Sequence, residues 1–185
     1  MQITYALIDV LGEKLFVATA DGKVVYATFV DEDSSLGMDG SYCVANQAMS
    51  IGVERLEEFL RGSSVNIDAL KPDYGVVKRV FDLALSGVEK GGGEYLLLGG
   101  TEFQKKVWQS LLTIKHGQVV GYVDVAKAIG NRKAVRAVAS AIAKNNIAYL
   151  IPCHRVVCAD GSVGGYRWGQ GVKRRLLSAE KQKSS

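Results

Sequence analysis

Three consecutive glycines, Gly91-Gly92-Gly93, with Gly99-Gly100 just beyond, constrain this chain more than any other feature. Residues without a Cβ keep maximal backbone freedom and neither continue a helix nor support a strand, so the run reads as a boundary. The 185 residues are enough for two compact cores. We therefore read domains at 1–98 and 99–185. Charge divides at the same place. Residues 1–98 carry 8 Lys and Arg against 15 Asp and Glu, a balance of −7, whereas residues 99–185 carry 15 against 4, or +11. A basic domain of this size is the electrostatic footprint of a polyanion partner.

The acidic half reads as a small antiparallel sheet with helices. Residues 2–10 form a strand in which Ile3, Tyr5 and Leu7 alternate with Thr4 and Ala6. Residues 15–20 and 23–30 are β-rich runs separated by Asp21-Gly22, a strong hairpin signal. Residues 31–40 are acidic and carry Gly and Ser, which suits a surface loop. The spacing of Val53, Leu56, Glu57 and Leu60 predicts a helix over 44–60, stopped at Gly62. Lys71-Pro72 is a break, and a second helix over 74–85 ends near Gly87. Nothing in this half proposes chemistry; it reads as a scaffold.

The basic half is mostly helical. Thr101 is placed to cap a helix over 102–112, with Phe103, Val107, Trp108, Leu111 and Leu112 as its apolar stripe and Lys105 and Lys106 outside. A short helix over 123–129, a tight turn at Gly130-Asn131 and a longer helix over 132–144 make a helix-turn-helix. On the longer helix Val135, Val138 and Ile142 share one face. Lys133, Ala137, Ser140, Ala141 and Lys144 lie opposite, with Arg136 at the side. Small residues fringed by cations allow close approach to a duplex. Asn145-Asn146 and an extended run over 147–151 follow. Asp160-Gly161 turns a hairpin between Val156-Val157 and Val163, and Gly164 to Gly169 is a loop with two aromatics. A last helix over 170–179 carries a basic stripe, Lys173, Arg174 and Arg175, with Leu176 and Leu177 buried; 181–185 is a frayed tail.

The chemistry concentrates in Ile151-Pro152-Cys153-His154-Arg155-Val156-Val157. Pro152 stiffens the backbone before a cysteine. His154 and Arg155 could lower the thiol pKa, and the thiolate is the reactive species. In extended chain adjacent side chains point to opposite faces, so His154 would reach Cys153 only through a water or a turn.

Pro-Cys-His-Arg followed by two valines resembles the O6-alkylguanine-DNA alkyltransferases, also called methylated-DNA–protein-cysteine methyltransferases. The resemblance runs from about Thr101 to Glu180 and is weak before residue 99. It implies a winged-helix-like second domain that flips O6-alkylguanine out of double-stranded DNA. The alkyl group would pass irreversibly to the protein's own cysteine, once per molecule. It implies Cys153 as nucleophile, His154 as general base through a water, and Glu180 as the residue that orients the histidine. Tyr122 would give a proton or hydrogen bond to the guanine, and Asn145 would brace the turn beside the nucleophile. Arg136 would fill the vacated base position. The helix bearing Lys133, Ala137 and Ser140 would enter the minor groove, with Asn131 contacting DNA from the turn before it. Tyr166, Arg167, Trp168 and Val156 would wall the substrate pocket.

Other readings are narrower. Three cysteines, Cys43, Cys153 and Cys158, and two histidines make neither a disulfide framework nor zinc-ligand spacing. No metal or cofactor is called for. A cysteine hydrolase would need a second histidine that His116 does not obviously supply. A binding-only helix-turn-helix module, or a non-catalytic lesion sensor, would have no use for Cys153. A hydrophobic content of 48% with no long apolar run suits a cytoplasmic protein without a membrane partner, a monomer by default.

Overall fold

The computed structural model describes residues 2–30, 42–61, 70–89 and 99–183. They fall into two compact units, the first holding described residues up to Ala84 and the second those from Leu85 onward.

In the first unit β1 (Ile3–Val10), β2 (Glu13–Ala20) and β3 (Lys23–Phe29) pair antiparallel in sequence order. Asp21 and Gly22 both have positive φ, 50° and 73°, which two-residue hairpin turns require. Leu11 and Gly12 repeat the device between β1 and β2, with Asp9 Oδ1 accepting the Gly12 N–H at 3.1 Å. Lys71-Pro72 is a strand, not the expected break. β4 (Leu70–Pro72) lies parallel to β1 at the sheet edge, where a residue without an N–H is tolerated. The sheet is therefore mixed rather than antiparallel. The inward face of β1 also differs from expectation: Ala6, Ile8 and Val10 are buried, while Tyr5 and Leu7 are only half-buried.

Helix α1 (Tyr42–Leu60) packs on this sheet. A Cβ at Gly52 would lie 2.1 Å from the Phe16 ring, so only glycine permits the approach. Asp73 begins α2 (Tyr74–Glu89), its Oδ1 accepting the Val76 N–H at 2.9 Å. The helix runs past Gly87. The expected loop over 31–40, the stop at Gly62 and the Gly91-Gly92-Gly93 run lie outside the described residues.

In the second unit Thr101 caps α3 (Glu102–Leu111) in a reciprocal capping box with Gln104. Trp108 Nε1 donates to the Ala141 carbonyl at 2.8 Å, tying α3 to α5 (Val135–Ala143). This corrects the place of Ala141, which is buried and not on the outer face. Helix α4 (Tyr122–Ala128) begins one residue earlier than expected and α5 three later, so Lys133 sits in the turn between them. β5 (Val120–Gly121) and β6 (Val156–Val157) pair parallel. The expected hairpin with Val163 does not form, although Cys158 N–H and the Ser162 carbonyl close a turn at 2.9 Å. Helix α6 (Gln170–Lys183) continues through the expected frayed positions 181–183.

The largest correction concerns 147–151. The run is not extended but curls on itself. Ile151 N–H donates to the Ile147 carbonyl at 3.1 Å, Leu150 N–H to the Ala148 carbonyl at 2.8 Å, and Tyr149 has φ 69°. All five side chains are buried. Apolar character without alternation does not specify a strand, and the Asn145 side chain here takes the hydrogen bonds a strand partner would have supplied.

Candidate active site

Asn145 organises the turn that presents the thiol. Its Oδ1 accepts the Ile147 N–H at 2.9 Å. Its Nδ2 faces the Ile147 carbonyl at 3.3 Å, the Ile151 carbonyl at 3.1 Å and Cys153 Sγ at 3.2 Å. Cys153–Arg155 form a single 3₁₀ turn, not the extended chain expected. Burial pushes the Cys153 thiol up from its ordinary range, against the hydrogen bond from Asn145 and the charge of Lys173. The resting Cys153 side chain is therefore a protonated thiol, and a base would be needed to make it a thiolate. Arg155 is not among the groups that lower it, contrary to the expectation from sequence.

Arg155 is occupied elsewhere. Its Nε donates to Glu180 Oε2 and its Nη2 to Oε1, both at 2.9 Å, and its Nη1 to the Ile114 carbonyl at 2.7 Å. Glu180 Oε1 also lies 2.8 Å from His154 Nε2, and Oε2 accepts the Gly117 N–H at 3.2 Å. Four N–H donors thus converge on the carboxylate. Burial alone would raise the Glu180 pKa, but the hydrogen bonds and charges of His154 and Arg155 hold it far below the usual carboxylate range. Burial pushes His154 down, and Glu180 offsets this only in part. A neutral imidazole beside an ionised carboxylate must carry its proton on Nε2. Nδ1 then presents a lone pair. It is buried and has no hydrogen-bond partner among the described residues. The ring stacks on Tyr149, centroids 5.9 Å apart and planes 5° from parallel.

Cys153 opens on a cavity of about 370 Å³. Tyr122, Ile142, Tyr166, Arg167 and Trp168 are among its walls; Val156 is not. Val156 is buried on β6 and contributes its carbonyl to Lys173 Nζ at 2.7 Å. Trp168 is 8% exposed and meets Tyr166 edge-on, centroids 5.1 Å apart. Arg167 Nη1 donates to the Asn145 carbonyl at 3.1 Å and to Asn146 Oδ1 at 3.0 Å, which fixes this wall to the thiol-bearing turn. Burial, then the neighbouring Cys158 and Cys153, raise the Tyr122 pKa, so its phenol stays a donor. Gly164, at φ 68°, leaves no room for a side chain: a Cβ would lie 2.7 Å from Cys158 Sγ.

Of the residues expected from the sequence to contact DNA, Arg136, Ala137 and Ser140 lie on α5, and Asn131 and Lys133 are exposed in the turn before it. Arg136 and Ala137 are exposed, and Ser140 is exposed beside them. Ala139, Ile142 and Ala143 of the same helix line the cavity that holds Cys153, whereas Arg136, Ala137 and Ser140 do not.

Lys173 also lies elsewhere than its charged neighbours in the sequence suggest. It is 1% exposed rather than part of a solvated stripe. Its Nζ also faces the Gly165 carbonyl at 3.4 Å and lies 5.9 Å from the Tyr166 ring centre. Periodicity contained the signal: Lys173, Leu176 and Glu180 fall at i, i+3 and i+7, one helical face. The charge of Lys173 hid it.

A buried thiol beside a small cavity, with a histidine–carboxylate pair next to it in the chain and a helix-turn-helix in the same unit, defines a class of protein with a candidate cysteine site. The comparisons with known proteins agree. Residues 102–182 match the family described as 6-O-methylguanine DNA methyltransferase, DNA binding domain. The chain is 55% identical over 87 residues to the methylated-DNA–protein-cysteine methyltransferase of Kluyveromyces lactis, covering 47% of this chain and 45% of that one. To the Methanosarcina acetivorans protein of the same name it is 40% identical over 124 residues, 67% of this chain and 70% of that one. Mycobacterium tuberculosis OGT, solved in complex with DNA, superposes with a TM-score of 0.67 at 29% identity, covering 97% of this chain and 94% of that one. This chain belongs to the methylated-DNA–protein-cysteine methyltransferase family. It spans about half the length of the first yeast relatives it matches.

Proposed function

We propose that this protein repairs DNA by taking the alkyl group from O6-alkylguanine onto Cys153 in a single turnover. The observation that carries the proposal is Cys153 at the head of a small, largely apolar cavity that Ala139, Ile142 and Ala143 of α5 also line. The O6 substituent of a stacked guanine is out of reach of a buried thiol, so the nucleotide is flipped into the cavity. The S–C bond forms as the C–O6 bond breaks. His154 Nδ1 takes the thiol proton through a relay, and Tyr122 supplies the proton that lets guanine leave neutral. The imidazolium then returns its proton to the Tyr122 phenolate through solvent, so that the thiol has lost one proton, the guanine has gained one and both side chains are restored. A thioether offers water no leaving group to displace at neutral pH, so the bond persists and the protein is consumed.

In this reading residues 99–185 form the winged-helix-like, DNA-binding and transfer domain, and 1–98 the scaffold. The helix bearing Ala137 and Ser140 lies in the minor groove, Arg136 fills the gap left by the flipped base, and Asn131 and Lys133 hold phosphates. Tyr166, Arg167 and Trp168 enclose the alkyl group. The protein acts as a monomer inside the cell. Among the described residues no helix is long and apolar enough to cross a membrane.

The test is intact-protein mass after exposure to duplex DNA containing O6-methylguanine. One added methyl, mapped to Cys153 and absent in Cys153→Ala, is expected. No mass change with retained DNA binding would mean a binding module, and repeated turnover would also overturn the proposal.

A further inference from the structure

The arginine of the Pro-Cys-His-Arg motif touches neither the thiol nor the cavity. It is spent on a buried carboxylate that already accepts from two other donors, Gly117 N–H and His154 Nε2. A buried arginine loses its hydration, so a fork aimed at Glu180 with both arms at 2.9 Å is a costly arrangement unless the ion pair serves something. Charge offers the reason. A lone carboxylate 2.8 Å from an imidazole favours imidazolium, and an imidazolium has no lone pair with which to accept a thiol proton. If the carboxylate instead took the proton itself, its O–H would donate to Nε2. The ring proton would then sit on Nδ1. Both escapes block the atom that faces the relay.

We propose that Arg155 is a positioning residue whose guanidinium neutralises Glu180, so that the carboxylate orients the His154 ring without placing a proton on Nδ1. This rests on the reading of His154 as the base. Glu180 and Lys173 act on the ring from α6 and Arg155 from its own 3₁₀ turn, and Tyr149 stacks on it from the turn before. Lys173 and Arg155 are the cations, and of the two it is Arg155 that is bonded to the carboxylate. The same fork holds the Ile114 carbonyl, while Glu180 holds the Gly117 amide. One ion pair therefore also fixes the segment that leads into β5 and Tyr122.

The chain has only two histidines, His116 and His154, so ¹⁵N imidazole spectra separate them with one His116→Gln control. In the free parent protein His154 should remain the neutral Nε2–H tautomer through the neutral pH range. In Arg155→Met, His154 should become imidazolium or switch to Nδ1–H. The acid limb of Cys153 methylation should move up by about one pH unit or more. Arg155→Lys should restore much of the parent tautomer, because one charge on one oxygen still neutralises the carboxylate. Arg155→Gln, which keeps a donor but no charge, gives the same reading if the methionine variant does not fold. An unchanged tautomer and acid limb in the neutral variant, with or without a fall in rate, would overturn the proposal. The imidazole readout needs no DNA, so failure of the transfer reading itself would appear separately, as a parent that gains no methyl.

Discussion

Asn145→Ala is the most informative single change, because one side chain holds both the turn and the thiol. The substitution removes the acceptor of the buried Ile147 N–H and an Nδ2 group whose two hydrogens serve three acceptors. The Ile147 and Ile151 carbonyls keep backbone donors, from Ile151 N–H at 3.1 Å and Cys153 N–H at 2.7 Å, so their loss is small. The Ile147 amide dominates. Losing the acceptor of a buried donor costs about 1–3 kcal/mol, and the net worth of a buried bond is about 1 kcal/mol. Together these give a loss of about 2–4 kcal/mol in unfolding free energy, measured by urea denaturation with the slope checked for constancy. Cys153 should also react more slowly with iodoacetamide at neutral pH, since a donor to the sulfur is gone. Asn145→Asp separates the two parts: it keeps the acceptor but sets a carboxylate against two carbonyls and a sulfur. Its folded pKa must then rise, so the penalty is full well above that pKa and fades as pH falls through it. A loss below about 1 kcal/mol for Asn145→Ala would mean that backbone bonds alone hold the turn.

Three further outcomes are expected. Lys173→Met removes a buried cation whose charge pulls the Cys153 thiol down, so the pH profile of thiol alkylation should move upward, and reaction at neutral pH should slow about tenfold for every pH unit the profile moves; an unmoved profile would leave Lys173 a purely structural strut between the Val156 and Gly165 carbonyls. Trp168 fills one wall of the 370 Å³ cavity, so Trp168→Gly should narrow the preference for O6-methylguanine in DNA over free O6-benzylguanine; if the parent already accepts both equally, the indole guards nothing. Arg136→Ala should slow repair in duplex far more than reaction with the free base, and binding should weaken steeply with salt as phosphate-bound counterions are released; equal losses on both substrates would assign Arg136 to the fold.

What the sequence determined is mostly local. Asp21-Gly22, Thr101 and the stripe of Val107, Trp108 and Leu111 are set by neighbours a few residues away, and each lies where propensity and periodicity place it. The motif around Cys153 was legible for a different reason: its residue types are so specific that likeness to a family substitutes for geometry. The first unit shows the limit of that route. Its sequence resemblance is weak, yet the M. tuberculosis structure aligns with 97% of this chain, because many sequences satisfy one sheet-and-helix core. Tertiary structure decided what depends on partners distant in the chain. The run 147–151 is apolar enough for a buried strand, but its own backbone bonds and the Asn145 side chain make it a turn. Pro72 breaks a helix locally but is harmless on a sheet edge. Lys173 and Arg155 read as solvated or thiol-directed cations until α6 brings Lys173 to the Val156 carbonyl and Glu180 to Arg155. A charge is buried only when folding supplies its counterpart, and no window of sequence contains a counterpart 25 residues away.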